Sequence, residues 1–416
     1  MLRWYEVEPR AVPVTADSVN LTVAVEGVPN GVQLNTGRFI PLAQVQSGLY
    51  SARVAVSDLL FNYRSGDLHN TSAFIEIITS TLTQQLPVTV NVQDGTVPVV
   101  TVQQLAPNMQ ATSHVANLRY DSLYYGGLVP PAVLRTFYQF FPDEYDFINV
   151  LAQVQSRFNY HYLAVRNNVI GLGLQTFERV ENYGSADRLQ GVLHFPDDAQ
   201  FDPAETSVLH ELAHRWMAFS NLQNLRGSRP HFPISTLARG ITGYPDTDPI
   251  TERANVFRWE LTPLPDGTYA VSRLPDRPRT FNDFELYLMG LLPPDSVQPH
   301  IVFLNQDQRS QLRSGGILSG PTDTVTVAEW VARDGVRTPT YLTAQRSFRM
   351  ATIVLSRGRL LTQEEMSFYH AMAVRGESNA ALPAILETTR FTTLPFALAT
   401  GGRAQLITRL RVQPAN

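Results

Sequence analysis

The 416-residue sequence predicts an α+β protein in which a β-sandwich precedes a mixed domain of helices and strands. Near the N-terminus, short runs rich in Val, Ile and Thr alternate with turn signals, which is typical of a sandwich. Further along, apolar residues recur at helical spacing between strand-like runs. The expected boundaries are 1–110 for the sandwich, 111–128 for a linker and 129–416 for the second domain, with an upper part at about 129–220 and a lower part at about 221–416.

The N-terminal part is expected to be an immunoglobulin-like sandwich of about seven strands. Turn residues at Asn30-Gly31, Thr36-Gly37 and Asp94-Gly95 separate its apolar runs. These runs contain no cluster of catalytic side chains, so we expect the module to bind a partner or to act as a spacer. The predicted strands are Val19–Val25, Gly48–Val56, Ala73–Thr79, Pro87–Val92 and Pro98–Val102.

Helix and strand signals alternate in the second domain. Pro131 begins a predicted helix, and Asp143 begins another that extends to Val154. The other expected elements are strands at Tyr160–Val165, Val169–Leu172 and Leu189–Phe195, an irregular loop region at 222–280, a short helix at Phe284–Leu291 capped by Asn282 or Asp283, a strand or buried helical segment at Arg349–Leu355, a helix at Leu361–Val374 capped by Thr362, and a closing segment at Phe396–Leu410.

Composition excludes several classes of protein. A net charge of -4 and a pI near 6.1 give no electrostatic basis for binding nucleic acid or an anionic membrane. No apolar run approaches about 18 residues, so we expect no transmembrane helix. The sequence has no cysteine, so a metal site would have to use His, Asp, Glu or Tyr ligands, which suits a catalytic site more than a structural one.

The most informative motif is His210-Glu211-Leu212-Ala213-His214, an HExxH sequence. Residues four apart on a helix share one face, so both imidazoles can reach one metal ion. Glu211 lies beside them, where a carboxylate can act on a metal-bound water. The motif predicts the active-site helix of a zinc peptidase. The alternative is an amphipathic surface helix with two incidental histidines.

The residues around the motif favour a packed helix. Asp202 is suited to the N-cap, Pro203 to the first helical position and Glu205 to the third. An apolar stripe at helical spacing then predicts one buried face, made of Val208, Leu209, Leu212, Trp216 and Phe219.

A catalytic zinc usually has three protein ligands and one open position, so a third ligand must come from downstream. Glu285 is favoured because it lies on a short apolar helix, where a buried carboxylate needs a strong partner such as a metal. His231, in the loop after the motif, is the alternative third ligand. Asp246 and Asp248 are weaker candidates and are better suited to turns or to outer-sphere contacts.

The segment HELAHRW followed by ELYLMGLLPP resembles a group of secreted bacterial zincin-like metallopeptidases. Their sequences carry similar segments with a histidine between them, and the resemblance covers roughly residues 130–410. It implies a zincin-like catalytic domain with His210 and His214 as zinc ligands and Glu211 as catalytic base. It leaves both His231 and Glu285 open as the third ligand.

A zinc peptidase also needs a surface that holds the substrate and a donor for the developing oxyanion. We expect Gly191–Phe195 to be the edge strand that binds an extended peptide by backbone hydrogen bonds, with an ordinary half-buried strand as the alternative. Tyr287 and Arg215 are the candidate oxyanion donors.

Together these observations predict a zinc-dependent endopeptidase with a protein or peptide substrate, in which Glu211 is the general base. One alternative is a surface or extracellular binding or adhesion protein with an inactive zincin-like domain, and another is a zinc hydrolase that does not cleave peptides. We expect a monomer that is secreted or at the cell surface, with its leader outside this sequence. A cytoplasmic location stays open.

Overall fold

The computed structural model of the protein describes residues 5–25, 27–60, 69–93, 97–122, 129–152, 161–196, 208–217, 219–228, 231–242, 259–273, 280–380 and 394–413. Two large sheets and a set of short helices make up most of this part of the chain, which confirms the α+β class. None of the helices in these ranges has the length and apolar character needed to cross a membrane.

The first sheet system contains eight strands in the order β1-β3-β6-β5-β4-β7-β8-β2. Its elements are β1 (Tyr5–Glu8), β2 (Ala11–Pro13), β3 (Ser18–Val25), β4 (Gly31–Asn35), β5 (Phe39–Gln46), β6 (Leu49–Ala55), α1 (Val56–Leu59), β7 (His69–Ile78) and β8 (Thr83–Gln93).

This system is consistent with the predicted sandwich. Strand β5 pairs with β6 on one side and with β4 on the other, which divides the order into two halves. Alternate apolar residues of both halves are buried in one shared core, as expected for two packed sheet faces. Core members include Leu21, Val23 and Val54 from one half and Val32, Leu34, Ile75 and Ile77 from the other.

The sequence predictions for this module are partly confirmed. Strands lie where four of the five apolar runs predicted them, and Thr36-Gly37 forms the turn between β4 and β5, with a φ of 88° at Gly37. The prediction for Pro98–Val102 is wrong, because these residues form no strand. The turn at Asp94-Gly95 lies outside the described residues.

The rest of the chain forms a second large sheet with smaller sheets and helices around it. Its strands are β9 (Gln103–Ala106), β10 (Met109–Ala111), β11 (Val115–Arg119), β12 (Phe147–Ala152), β13 (His161–Ala164), β14 (Arg166–Asn167), β15 (Phe177–Glu178), β16 (Gly191–Pro196), β17 (Trp259–Pro263), β18 (Tyr269–Arg273), β19 (His300–Phe303), β20 (Ile317–Leu318), β21 (Thr322–Val325), β22 (Ser347–Ser356) and β23 (Gln405–Ile407). Its helices are α2 (Pro131–Phe137), α3 (Val208–Ala213), α4 (Asp283–Met289), α5 (Val327–Asp334), α6 (Gln363–Glu377) and α7 (Phe396–Ala399).

The second large sheet has the order β13-β16-β12-β22-β11-β10-β9, with β23 also paired to β22. Strands β16, β12, β22 and β11 run parallel, whereas β13 is antiparallel to β16. The predicted edge strand Gly191–Phe195 is therefore wrong, since β16 has a neighbour on each side. The strand at this end of the sheet is β13.

Two further predictions in this region are wrong. The segment 111–128, expected to be a linker, contains β11, which pairs with β22 inside the sheet. The helix expected from Asp143 to Val154 is replaced by β12, of which all six residues are buried. A strand covered on both faces reads as a continuous apolar run, which periodicity alone does not separate from a helix.

Helix α6 joins the two parts of the molecule. As predicted, Thr362 caps it, and Glu365 completes a capping box. The carboxylate of Glu365 also accepts a hydrogen bond from the backbone N–H of Arg10 at 2.8 Å and pairs with Arg359 at 2.7 Å. Arg359 in turn pairs with Glu8. Through this network the sandwich is anchored to the helix that covers the second sheet.

Candidate metal centre

Three histidine side chains converge at the C-terminal end of α3. The Nε2 atom of His210 lies 3.0 Å from Nε2 of His231 and 3.2 Å from Nε2 of His214. One ligand atom from each of the three residues lies within 4.8 Å of the other two, so the cluster can hold a metal ion. No other such group of three or more His, Asp or Glu side chains occurs among the described residues.

The ionisation of the cluster suits metal binding, which requires neutral imidazole. Burial, together with the proximity of His231, lowers the pKa of His214 to about 3. Burial also lowers the pKa of His231 to about 4. The Nδ1 atom of His210 lies 3.0 Å from the carbonyl oxygen of Ile241. A proton on this nitrogen leaves the Nε2 lone pair directed at the other two rings.

Packing of α3 against the sheet fixes the direction of the histidines. Leu209 and Leu212 are buried in the same core as Leu193 and Phe195 of β16. The regular helix ends at Ala213, and tighter turns follow, in which the backbone N–H of each residue from 214 to 216 bonds to the carbonyl three residues earlier. Because this path keeps a helical direction, the rings of His210 and His214 remain neighbours, with centroids 4.9 Å apart.

Glu211 is buried beside the histidine cluster, with 4% of its surface exposed. Burial raises the pKa of its carboxyl group to about 8, and a hydrogen bond from the backbone N–H of Tyr162 opposes this shift. Tyr162 belongs to β13, so the strand at the sheet edge lies directly against the motif. Among the described residues this N–H is the one backbone donor to the carboxyl group, which leaves acceptor positions for a further donor.

The structure engages Glu285 elsewhere, which corrects the favoured third ligand. Its carboxylate is fully buried and accepts hydrogen bonds from the backbone N–H groups of Ile241, Thr242 and Asn282 at 2.7–3.0 Å, and from the Thr242 hydroxyl at 2.7 Å. The expectation that this carboxylate needs a strong partner is right, but backbone donors take the place of a metal. His231 is the residue that completes the cluster.

Both candidate oxyanion donors have other contacts in the structure. The guanidinium of Arg215 donates to Gln190, Asn167 and Asn168 at 2.8–3.0 Å, so it braces the loops behind the helix. The ring of Tyr287 packs edge-on against Phe284. Burial raises the pKa of the Tyr287 hydroxyl, and the nearby charge of Arg337 opposes the shift.

Two contacts of the site were missed by the sequence analysis. No local sequence pattern identifies the Ile241 carbonyl as a partner for His210, or the Tyr162 N–H as a donor to Glu211. The only available signal was the strand prediction at Tyr160–Val165, which did not reveal that this strand ends the sheet. The predicted helix start at Asp202, Pro203 and Glu205, together with Asp246 and Asp248, lies outside the described residues.

Comparison of the chain with protein-family models, with curated proteins and with solved structures gives no significant match.

Proposed function

We propose that the protein is a zinc-dependent endopeptidase whose metal is held by His210, His214 and His231. The observation that carries the proposal is the convergence of three imidazoles that can reach one ion, next to the buried carboxyl group of Glu211. The Nε2 spacings of 3.0 and 3.2 Å are close to the ~3.3 Å expected for nitrogen ligands on a tetrahedral zinc with bonds of about 2.0–2.1 Å. Three ligands leave one position for water, as in catalytic zinc sites.

In this proposal Glu211 is the general base. His210, His214 and His231 would hold the zinc, which would supply Lewis acidity for the scissile carbonyl and for a water molecule. Glu211 takes the proton from that water and passes it to the leaving amine. Burial raises the pKa of Glu211 to about 8, and the ionised form that this role requires would be favoured by the positive charge of a bound metal.

We propose that β13 replaces Gly191–Phe195 as the strand that binds substrate. It is the outermost strand at its end of the described sheet, and its Tyr162 contacts Glu211. An extended peptide that pairs with an edge strand places its backbone along that strand, next to the base. Tyr162 also covers Gly191, where an added Cβ would lie 2.2 Å from the tyrosine ring.

The sandwich is assigned to the immunoglobulin type within the same proposal. If β2 is set aside, the strands follow the order A-B-E-D and C-F-G of that fold, with β1-β3-β6-β5 in one half and β4-β7-β8 in the other. Strand β2 runs parallel to β8 at the far edge. We propose that this module binds or positions partners for a secreted or surface enzyme.

The experiment measures metal content and peptide cleavage together. The wild-type chain is expected to bind about one zinc per chain and to cleave a library of unstructured peptides. Glu211→Gln is expected to keep the zinc and to lose activity by at least about 100-fold, since general acid–base groups contribute about 10²–10⁴-fold. Zinc binding without cleavage would favour the binding-protein alternative, and cleavage undiminished in the variant would remove Glu211 from the mechanism.

A further inference from the structure

We infer that Glu285 is the positioning residue of the metal centre: its carboxylate fixes the two-residue backbone segment that orients both His210 and His231. This inference rests on the proposed metal site and gives α4 a role in it. Glu285 contacts no substrate and no metal in this scheme. It acts through Ile241 and Thr242.

The first step is the set of hydrogen bonds that the Glu285 carboxylate accepts from that segment. One oxygen, Oε2, accepts the N–H of Ile241 at 3.0 Å, and the other, Oε1, accepts the N–H of Thr242 at 2.7 Å. The Thr242 hydroxyl donates to Oε1 as well, also at 2.7 Å. Because three donors converge on one buried carboxyl group, two consecutive peptide groups are held in fixed orientations.

The second step is that both carbonyls of this segment accept hydrogen bonds, one from His210 and one from the residue that follows His231. The Ile241 carbonyl lies 3.0 Å from Nδ1 of His210. The Thr242 carbonyl accepts the backbone N–H of Phe232 at 3.2 Å, and Phe232 directly follows His231. One segment therefore sets the ring orientation of one ligand and the backbone position of the next.

The third step is that the carboxylate itself is rigid. It accepts the N–H of Asn282 in the capping box at the start of α4, and that helix is buried in the main core. The carboxylate also lies tightly against the backbone at Gly240, where an added Cβ would be 1.9 Å from Oε2. Packing on both sides gives the segment one position, which a flexible surface contact would not do.

The test compares two glutamates with the same local geometry. Glu285 and Glu365 both occupy the third position of a capped helix, both are buried, and both bind a backbone N–H from another segment. Only Glu285 is connected to the histidines. We would remove metal from the full chain, titrate it with cobalt(II), and record the affinity and the visible d–d spectrum for Glu285→Gln and Glu365→Gln.

Glu285→Gln is expected to weaken cobalt binding by about 10–100-fold and to alter the spectrum, which is the size of effect seen for partners that orient metal ligands. Glu365→Gln is expected to change neither. Thr242→Val, which removes only the hydroxyl donor, should give a smaller loss of the same kind and serves as the test if Glu285→Gln does not fold.

An unchanged affinity and spectrum in Glu285→Gln, or in Thr242→Val if Glu285→Gln does not fold, would overturn the inference. Equal losses in Glu285→Gln and Glu365→Gln would also overturn it, since they would show a general loss of stability. A wild-type chain that binds cobalt but cleaves no peptide would remove the peptidase proposal and leave this one standing. A wild-type chain that binds no cobalt would overturn both.

Discussion

Helices α3 and α4 each bury one glutamate, and the two environments differ in the number of donors. Among the described residues, Glu211, on α3, has one backbone donor, and burial raises its pKa to about 8. Glu285, on α4, accepts three backbone N–H groups and a hydroxyl, although burial still raises its pKa. The comparison of Glu211 with Glu285 therefore shows that burial alone does not identify a reactive carboxylate. A carboxylate whose lone pairs are filled can brace a structure, whereas one with free lone pairs can accept a proton.

The largest effect is expected for His231, the proposed third ligand of the metal. His231→Ala should reduce zinc affinity by more than about 100-fold, since even an outer partner of a ligand costs about 10–100-fold. His370→Ala, which changes a histidine of α6, is the matched control and should leave the affinity unchanged. Measurement is by competition with a chromophoric chelator. Equal affinity in His231→Ala and the wild-type chain would return Glu285 to consideration as a ligand.

The second largest effect is expected for Gly240, which lies against the carboxylate of Glu285. Gly240→Ala should destabilise the fold by about 1–3 kcal/mol, since its Cβ would collide with the Glu285 carboxylate. Gly376→Ala is the control, because a Cβ at that helical position meets nothing within 4 Å and alanine is favoured over glycine by about 0.5–1 kcal/mol there. Urea unfolding of both variants measures the difference. A Gly240→Ala chain as stable as the wild type would mean that the carboxylate is less confined than described.

Replacing each of the two glutamates by glutamine tests the number of hydrogen-bond donors around it. Glu285→Gln places an NH₂ group against N–H donors and should cost about 1–3 kcal/mol in the free energy of unfolding. Glu211→Gln keeps an acceptor for Tyr162 N–H and removes a buried carboxyl group, so the stability of the metal-free chain should stay equal or rise. In the metal-free state, Glu285→Gln should therefore lower the temperature of thermal unfolding, whereas Glu211→Gln should not. Equal changes in the unfolding temperature of the two variants would contradict the difference described between the two glutamates.

The smallest effect concerns Glu365, a third buried glutamate, whose environment differs again. Burial tends to raise its pKa, but hydrogen bonds and the charge of Arg359 lower it below its usual value of 4.5. A lowered pKa in the folded state adds stability that is present above pH 4.5 and is lost as the pH falls through the folded value. Unfolding of the wild type and Arg359→Met should therefore differ more at pH of about 7 than at about 3.5. A difference that does not depend on pH would show that Arg359 acts by packing alone.

Local features of this fold could be predicted from the sequence, and the longer-range ones could not. The capping boxes at Asn282 and Thr362 and the shared face of His210 and His214 depend on residues three or four apart. The identity of the end strand depends on how β13 and β16 pair, which no local pattern encodes. Glu285 is engaged by the backbone N–H groups of residues 241–242, and because backbone groups are the same in every sequence, no side-chain pattern marks this contact.

The central place of β22 has a consequence for the order in which the protein can form during synthesis. This strand lies between β12 and β11, yet it is made long after α3 has left the ribosome. Trp216 packs on Phe348 of β22, with ring centroids 5.4 Å apart. The packing surface for the segment that carries His210 and His214 is therefore incomplete until most of the polypeptide exists, so a nascent chain is expected to complete the histidine cluster late in translation.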